Sequence, residues 1–379
     1  MLSNNTSALG IIFPNTYDSI VPELTNVRLM ASIPFASRYR LVDFMLSSMA
    51  ASDVTNISLL VNKNYFSLMD HFGSGREWDL VRKNGGLHLF PPNVEKTSTV
   101  YTGRVSALAG ILEFLRDQKE KYVVMADSNI AANFDFKAMI KAHIKSGADV
   151  TTAYNETVIP EGYMNLGSEK AFYYTYGIED GRVKEIYVNS KSEGVQNLGM
   201  NIFVVERELL IDLINTAFVR GLRYWERDVL LNQLDNLNVQ AFKFDGYVAR
   251  ISSINSYFEE NMKLLDDANL DALFSGHPIY TKIRDDNPTR YIAGAKAVNI
   301  MAADGCVIEG SVENSILFRG VKIGKGAVVK NCILMQDTVI EDGVVIENII
   351  TDKEVTISAG KEVKGTDNYP VYIAKRQTV

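Results

Sequence analysis

Over the last quarter of the chain, apolar residues recur at a spacing of seventeen, and no other feature limits the fold so tightly. Ile300, Leu317, Leu334 and Thr351 form one such column, and Cys306, Ile323, Ile340 and Ile357 a second. Val312, Val329, Ile346 and Val363 form a third, with neighbouring columns offset by five or six residues. Gly305, Gly324 and Gly343 fall in the turns between them. A fixed repeat with β-branched residues at fixed corners predicts stacked coils of a parallel β-helix, in which each coil buries its inward face only against its neighbours. Independent β-hairpins would not keep twelve positions in step, eleven of them apolar. The open ends of such a stack are natural surfaces for assembly.

The preceding part has a different rhythm. Leu9–Phe13, Ile57–Val61, Tyr122–Ala126, Val150–Tyr154 and Met200–Val205 read as short buried strands. Leu41–Ala51, Ser106–Asp117 and Phe136–Ser146 carry helical periodicity between them. Alternation of this kind predicts an α/β domain with a mostly parallel, doubly wound sheet and ligands at the carboxyl ends of its strands. The polar stretch around Asp285-Asp286-Asn287-Pro288 reads as a linker. The expected division is 1–266, a linker over 267–290, and a β-helix over 291–379.

Composition narrows the functional classes. The 379 residues are 46% hydrophobic and 22% charged with a net charge of -7, so neither nucleic acid nor an anionic membrane is an expected partner. Met1–Asn5 lack the basic start of a signal peptide, and no run is long enough to span a membrane. Two cysteines, with no CxxC or HExxH spacing, offer neither a disulfide framework nor a metal motif. A reduced, soluble, cytoplasmic protein is expected.

The segment LGIIFPNTYDSIVPELT is the anomaly. A strand running into a loop near the start of an α/β domain is the usual place for a glycine-rich phosphate cradle, yet Pro14–Thr25 contains no glycine. The stretch PFASRYRLVDFMLSSMAASDV (Pro34–Val54) and the repeat NSILFRGVKIGKGAVVKNCILMQDTVIEDGVVI explain why. The first resembles PFGGKYRIIDFxLSNCxNSGI and the second the β-helix of the bacterial ADP-glucose pyrophosphorylases (glucose-1-phosphate adenylyltransferases), a resemblance that covers nearly the whole chain. It implies a Rossmann-like nucleotidyltransferase domain followed by a left-handed parallel β-helix. It also implies a family reaction in which glucose 1-phosphate and ATP give ADP-glucose and pyrophosphate for glycogen synthesis.

Against that family the chemical positions differ in a consistent direction. The GGxGxRL loop of active members corresponds to Asn15–Val21, so its arginine becomes Ile20 and a glycine becomes Asp18. The lysine of AKPAVxF falls on Met30, and GTADA on Gly103, Arg104, Val105, Ser106 and Ala107. The Glu-Lys-Pro of the sugar-phosphate region falls near Val188, Asn189 and Ser190. Of the two aspartates that hold Mg²⁺ in the family, one is kept as Asp127. The other, in WxDVGTIxxYWEAN, becomes Arg250 within YVARISSINSYFEEN. A guanidinium facing Mg²⁺ at ~4 Å near a protein surface is opposed by roughly twice the ~4 kcal/mol of a unit-charge pair.

Taken singly, Met30 reads equally well as core packing, Ile20 as a variant loop, Arg250 as a solvent-facing residue and Asp127 as a helix cap. Together the changes resemble the GlgD-type subunits of the family, catalytically weak partners of a two-gene enzyme. The resemblance then implies no intact catalytic set and no cofactor held by this chain, with Mg²⁺ in the catalytic partner. It implies a catalytic paralogue as partner, in a heterotetramer, and phosphorylated-sugar or nucleotide effectors at Arg38 and Arg40. Arg250 is expected to pair with Asp127 in the vacated metal position. The alternatives are a self-sufficient adenylyltransferase with a reworked loop and a β-helix acyltransferase, the latter disfavoured because no histidine follows His277.

Overall fold

The computed structural model describes residues 7–91, 101, 103–164, 172–366 and 369–379, so Met1–Asn5 lie outside the described residues. The N-terminal part is built on nine strands. They are β1 (Ala8–Phe13), β2 (Asn56–Leu60), β3 (Gly86–Phe90), β4 (Tyr122–Asp127), β5 (Val150–Val158), β6 (Tyr174–Glu179), β7 (Arg182–Val188), β8 (Val195–Glu206) and β9 (Val239–Lys243). Their order is β3-β2-β1-β4-β8-β5-β9-β7-β6. β1 lies parallel between β2 and β4, and β5 parallel to β9, while β8 runs antiparallel between β4 and β5.

Strand alternation divides the interior into two cores. Ala8 and Ile12 of β1 face one core, and Leu9, Ile11 and Phe13 face the other. The first core is covered by α1 (Leu41–Ala51) and α3 (Phe136–Ser146), the second by α2 (Arg104–Ala109) and α4 (Arg207–Val219). Helices on both faces make the sheet doubly wound. α1 can lie this close to β1 because residue 10 is glycine: a Cβ there would sit 2.8 Å from the Met49 sulfur. α3 begins where the Asp135 carboxylate accepts the Ala138 N–H and ends at Gly147, whose φ of 64° is the left-handed cap geometry. The expected helix Ser106–Asp117 is two pieces, α2 and Leu112–Asp117, interrupted at Gly110–Ile111.

The C-terminal part is the parallel β-helix. Val312 pairs with Val329, Val329 with Ile346 and Ile346 with Val363; Leu317 pairs with Leu334 and Leu334 with Thr351; Ile323 pairs with Ile340 and Ile340 with Ile357. The first coil differs. Ala302 stands opposite Leu317 and Ile308 opposite Ile323, so Ile300 and Cys306 are not the first members of their columns. That coil is two residues shorter than the later ones. Cys306 is nevertheless buried, and its thiol donates to the Phe318 carbonyl.

Asp267–Phe274, at the start of the segment expected as linker, is a helix capped by the Asp266 carboxylate. The chain after it is tied down: Asn133 donates to the Leu273 and His277 carbonyls, and the Ser47 hydroxyl accepts the Tyr280 N–H. The two parts share one core, in which Ile316, Phe318, Ile333, Met335 and Ile350 pack with Leu24, Leu29 and Tyr257. A buried ion pair crosses the seam, Arg28 to Asp352 at 2.6 Å. Among the described residues no helix is long and apolar enough to cross a membrane.

Candidate functional site

A cavity of about 510 Å³ opens at the carboxyl ends of β1 and β2 and the start of α2. Its floor begins with the loop after β1, and the absence of glycine there has a structural answer. The loop closes on itself through two of its N–H groups. Asp18 N–H donates to the Asn15 carbonyl and Ile20 N–H to the Tyr17 carbonyl. The Asp18 carboxylate accepts the Met30 N–H at 2.7 Å, and the Thr25 hydroxyl donates to the Asp18 carbonyl at 2.6 Å. Tyr17 anchors the turn from inside: its hydroxyl donates to the Phe172 carbonyl and accepts from Asn201, and its ring stacks near Tyr163. Burial pushes the Asp18 carboxyl up to about 7, against the Met30 N–H and the nearby Lys63.

The two altered positions read from the loop lie elsewhere. Met30 is 1% exposed and sits in the first core, and Ile20 is half-buried against the same core. Neither lines the cavity.

Asp127 ends β4, and alternation places it on the side of Val123 and Met125, the side covered by α2. There it meets Arg104. The Arg104 guanidinium bridges two carboxylates, Asp127 through Nη2 and Glu226 through Nη1. All three are buried, at 7%, 0% and 1% exposure. The Thr16 hydroxyl donates to the other Asp127 oxygen at 3.1 Å. The guanidinium also lies over the Phe13 and Phe203 rings, 5.5 and 5.9 Å from their centroids. Gly103 permits this: a Cβ there would sit 2.3 Å from the Arg223 carbonyl, which accepts the Val105 N–H. Glu226 comes from a π-helical turn, Trp225–Leu230, a local irregularity of the kind that re-aims side chains at sites.

Burial disfavours the Arg104 cation, yet Asp127 and Glu226 more than offset it and hold its pKa well above the ordinary value. Burial lifts the Asp127 carboxyl to about 6, opposed by Arg104 and assisted by Glu226. Two carboxylates share one guanidinium, so the trio carries an excess negative charge.

The expected Arg250–Asp127 pair is absent among the described residues. Arg250 is buried, but it donates to the Gly199 carbonyl at 3.2 Å and the Asn155 side chain at 2.9 Å. It sits on a short strand paired with Ile130–Ala131. Arg104 and Glu226 therefore hold the place the sequence reading assigned to Arg250. The only signal for Arg104 was its position in the GTADA-like segment, where a long cation replaces a small residue. For Glu226 the sequence carried none.

Arg38 and Arg40 meet at a second cavity of about 530 Å³, between the start of α1 and the β-helix. Ala36 and Ser37 precede them with φ of 49° and 60°, a left-handed turn held by Asn261 accepting the Ala36 N–H. Lys282, Arg284, Arg319, Lys353 and Lys375 add to the lining, against Asp70 and Glu354. Arg40 donates to the Ser67 carbonyl at 2.7 Å, and Arg319 is nine-tenths buried with its Nε unpartnered. Burial, then Arg40 and Arg28 close by, bring Lys353 down to about 7, against Asp352.

Comparison with known proteins agrees with this architecture. The family model described as nucleotidyl transferase matches residues 21–241. The model described as GlmU-like, C-terminal hexapeptide matches residues 283–369, which assigns the coils to the left-handed parallel β-helix. The chain is 34% identical over 373 residues to the glycogen biosynthesis protein GlgD of Bacillus subtilis (strain 168), spanning 98% of this chain and 96% of that one. It is 37% identical over 327 residues to the GlgD of Geobacillus stearothermophilus, spanning 86% and 83%. It is 30% identical over 333 residues to the glucose-1-phosphate adenylyltransferase of the same organism, spanning 85% and 83%.

Proposed function

The chain belongs to the nucleotidyl transferase family, alongside the GlgD-type glycogen biosynthesis proteins, and from that premise we propose that it is a catalytically weak, regulatory subunit of a glucose-1-phosphate adenylyltransferase. It works in glycogen biosynthesis, assembled with a catalytic paralogue, and a heterotetramer is the assembly we propose. The observation that carries this reading is the closed loop after β1. Two backbone N–H groups of this loop, those of Asp18 and Ile20, are hydrogen-bonded within the turn, with the Asp18 carboxylate at its centre. A polyphosphate approaching this rim meets a carboxylate where the family has glycine.

Mg²⁺ belongs in this scheme to the catalytic partner. The residues of this chain do not fit it: Asp127 is committed to Arg104 and Thr16, and among the described residues no group of three or more His, Cys, Asp or Glu could hold a metal. What the chain offers to a ligand is the cationic cavity of Arg38 and Arg40, suited to a phosphorylated sugar or a nucleotide. A regulatory subunit shifts its partner toward the state it binds better, by no more than that difference in affinity.

Titrating a catalytic paralogue with this chain, followed by light scattering and initial rates together, tests the reading. A mixed oligomer with apparent substrate or activator affinity raised ~5- to 150-fold is expected, a coupling of ~1–3 kcal/mol. No mixed oligomer, or one with the paralogue's own kinetics, would overturn it.

The anion cavity makes a separate prediction. Sulfate, whose charge is constant near neutrality, should bind more weakly as pH rises through about 7, because Lys353 is cationic below that point and loses its proton above it. His71, also at the cavity, is held below its ordinary range by burial against the pull of Asp43, and is already neutral there. Calorimetric titration of wild type and Lys353→Met across that range checks it. The variant should bind sulfate weakly throughout, with the slope gone.

A further inference from the structure

We infer that Arg104 is the resident cation of this site, standing in for the divalent ion of the fold family, and that its removal would uncover a two-carboxylate site able to take Mn²⁺ or Mg²⁺. The inference takes its choice of site from the catalytically weak reading, but its test reads no turnover, so a failure here leaves the co-assembly experiment standing.

The geometry supplies three reasons. First, the oxygens are occupied. One Asp127 oxygen accepts from Thr16, the other from Arg104, and Glu226 receives the second arm of the same guanidinium. Two N–H arms diverging from one carbon hold the carboxylates apart at a fixed span, as a bidentate fork does. Second, the floor suits a delocalised cation. Phe13 and Phe203 lie beneath the guanidinium, and aromatic faces attract a weakly hydrated cation. Third, the arginine is built in from both sides. Gly103 allows the start of α2 to lie against the Arg223 carbonyl, and the π-helical turn beyond brings Glu226 to the guanidinium across 122 residues of sequence.

The wild-type chain should then ignore divalent ions. Removing the arginine leaves two buried carboxylates without their shared counter-ion, which a divalent cation would neutralise more fully than the guanidinium did.

The test compares wild type, Arg104→Ala and Arg104→Ala/Asp127→Asn by Mn²⁺ titration, followed by electron paramagnetic resonance and by thermal unfolding. Wild type should show no shift in unfolding temperature and no tight Mn²⁺. Arg104→Ala should be destabilised, bind Mn²⁺ at least tenfold more tightly than wild type, and recover stability on binding. The double variant should lose that response. Arg104→Ala that folds only when Mn²⁺ is present would also support the inference. Tight Mn²⁺ binding by wild type that Asp127→Asn abolishes would overturn it, as would an Arg104→Ala chain, folded or not, on which Mn²⁺ has no effect.

Discussion

Purified alone, the chain should form ADP-glucose at least ~10³-fold more slowly than a catalytic adenylyltransferase of the same family. Losing a single oxyanion or metal contact commonly costs ~10²–10³ in rate, and this site lacks several at once. The loop after β1 has the Asp18 and Ile20 N–H groups spent within its own turn, Ile20 offers no guanidinium to a departing pyrophosphate, and Asp127 is bound to Arg104. Restoring one element should not restore the rate. Ile20→Arg would supply a cation beside a loop that is still closed by Asp18. Met30→Lys would bury an ammonium in the first core, where burying an unpaired charge costs several kcal/mol, and should lower stability before it gains any activity. A coupled assay for pyrophosphate release gives the number directly. Turnover within tenfold of an active relative would favour the self-sufficient enzyme with a reworked loop.

Arg28→Met should destabilise the folded chain by ~3–5 kcal/mol, the largest stability effect expected of a single substitution here. Arg28 is 3% exposed and Asp352 fully buried, so the variant strands a carboxylate inside the seam between the two parts. Among the described residues Asp352 would keep the Tyr372 hydroxyl and the Lys353 N–H. Arg28→Met/Asp352→Asn should recover much of the loss, since asparagine is neutral, its side-chain oxygen can accept the Lys353 N–H and its NH2 can donate to the Tyr372 hydroxyl. Chemical unfolding of the three proteins measures this. A cost below ~1 kcal/mol for Arg28→Met would show that the pair does not hold the seam. Arg28 comes two residues after Asn26 of the first cavity, and Asp352 directly precedes Lys353 of the anion cavity, so each partner is a near neighbour in sequence of one cavity lining.

Much of this architecture was legible in the residues. α1 and α3 have the bounds their periodicity predicts, and columns at a spacing of seventeen hold from Val312 onward. What periodicity cannot see is a change in coil length. The first coil turns its corners with two fewer residues, so counting back from Leu317 lands on Ile300, although Ala302 is the residue stacked there. The helix expected over Ser106–Asp117 ignored Gly110, whose weak helix propensity accompanies the break. The site was harder to read. Asp127 was recognisable from its place at the end of a strand, but its partner depended on which face of the sheet it occupies. Alternation from Val123 and Met125 sends it toward α2, hence to Arg104, whereas linear comparison paired it with Arg250 because both stand where carboxylates stand in the family. The Met30 core position shows the same limit: a residue aligned with a functional lysine was packed away once the loop closed.

The seam also sets a clock for biosynthesis. Leu24, Leu29 and Arg28 are made early, yet their partners in the coils follow some three hundred residues later, Asp352 being 324 positions beyond Arg28. At ~5–20 residues per second, the apolar surface around Leu24 and Leu29 waits roughly 15–65 s on the ribosome before its cover exists. Once β9 has been made, the nascent domain is finished on its sheet but stays open on one flank until the coils follow. A truncated chain ending before Ile316 would carry the same bare surface for its whole life, which makes it a natural client for chaperones rather than a smaller version of the protein.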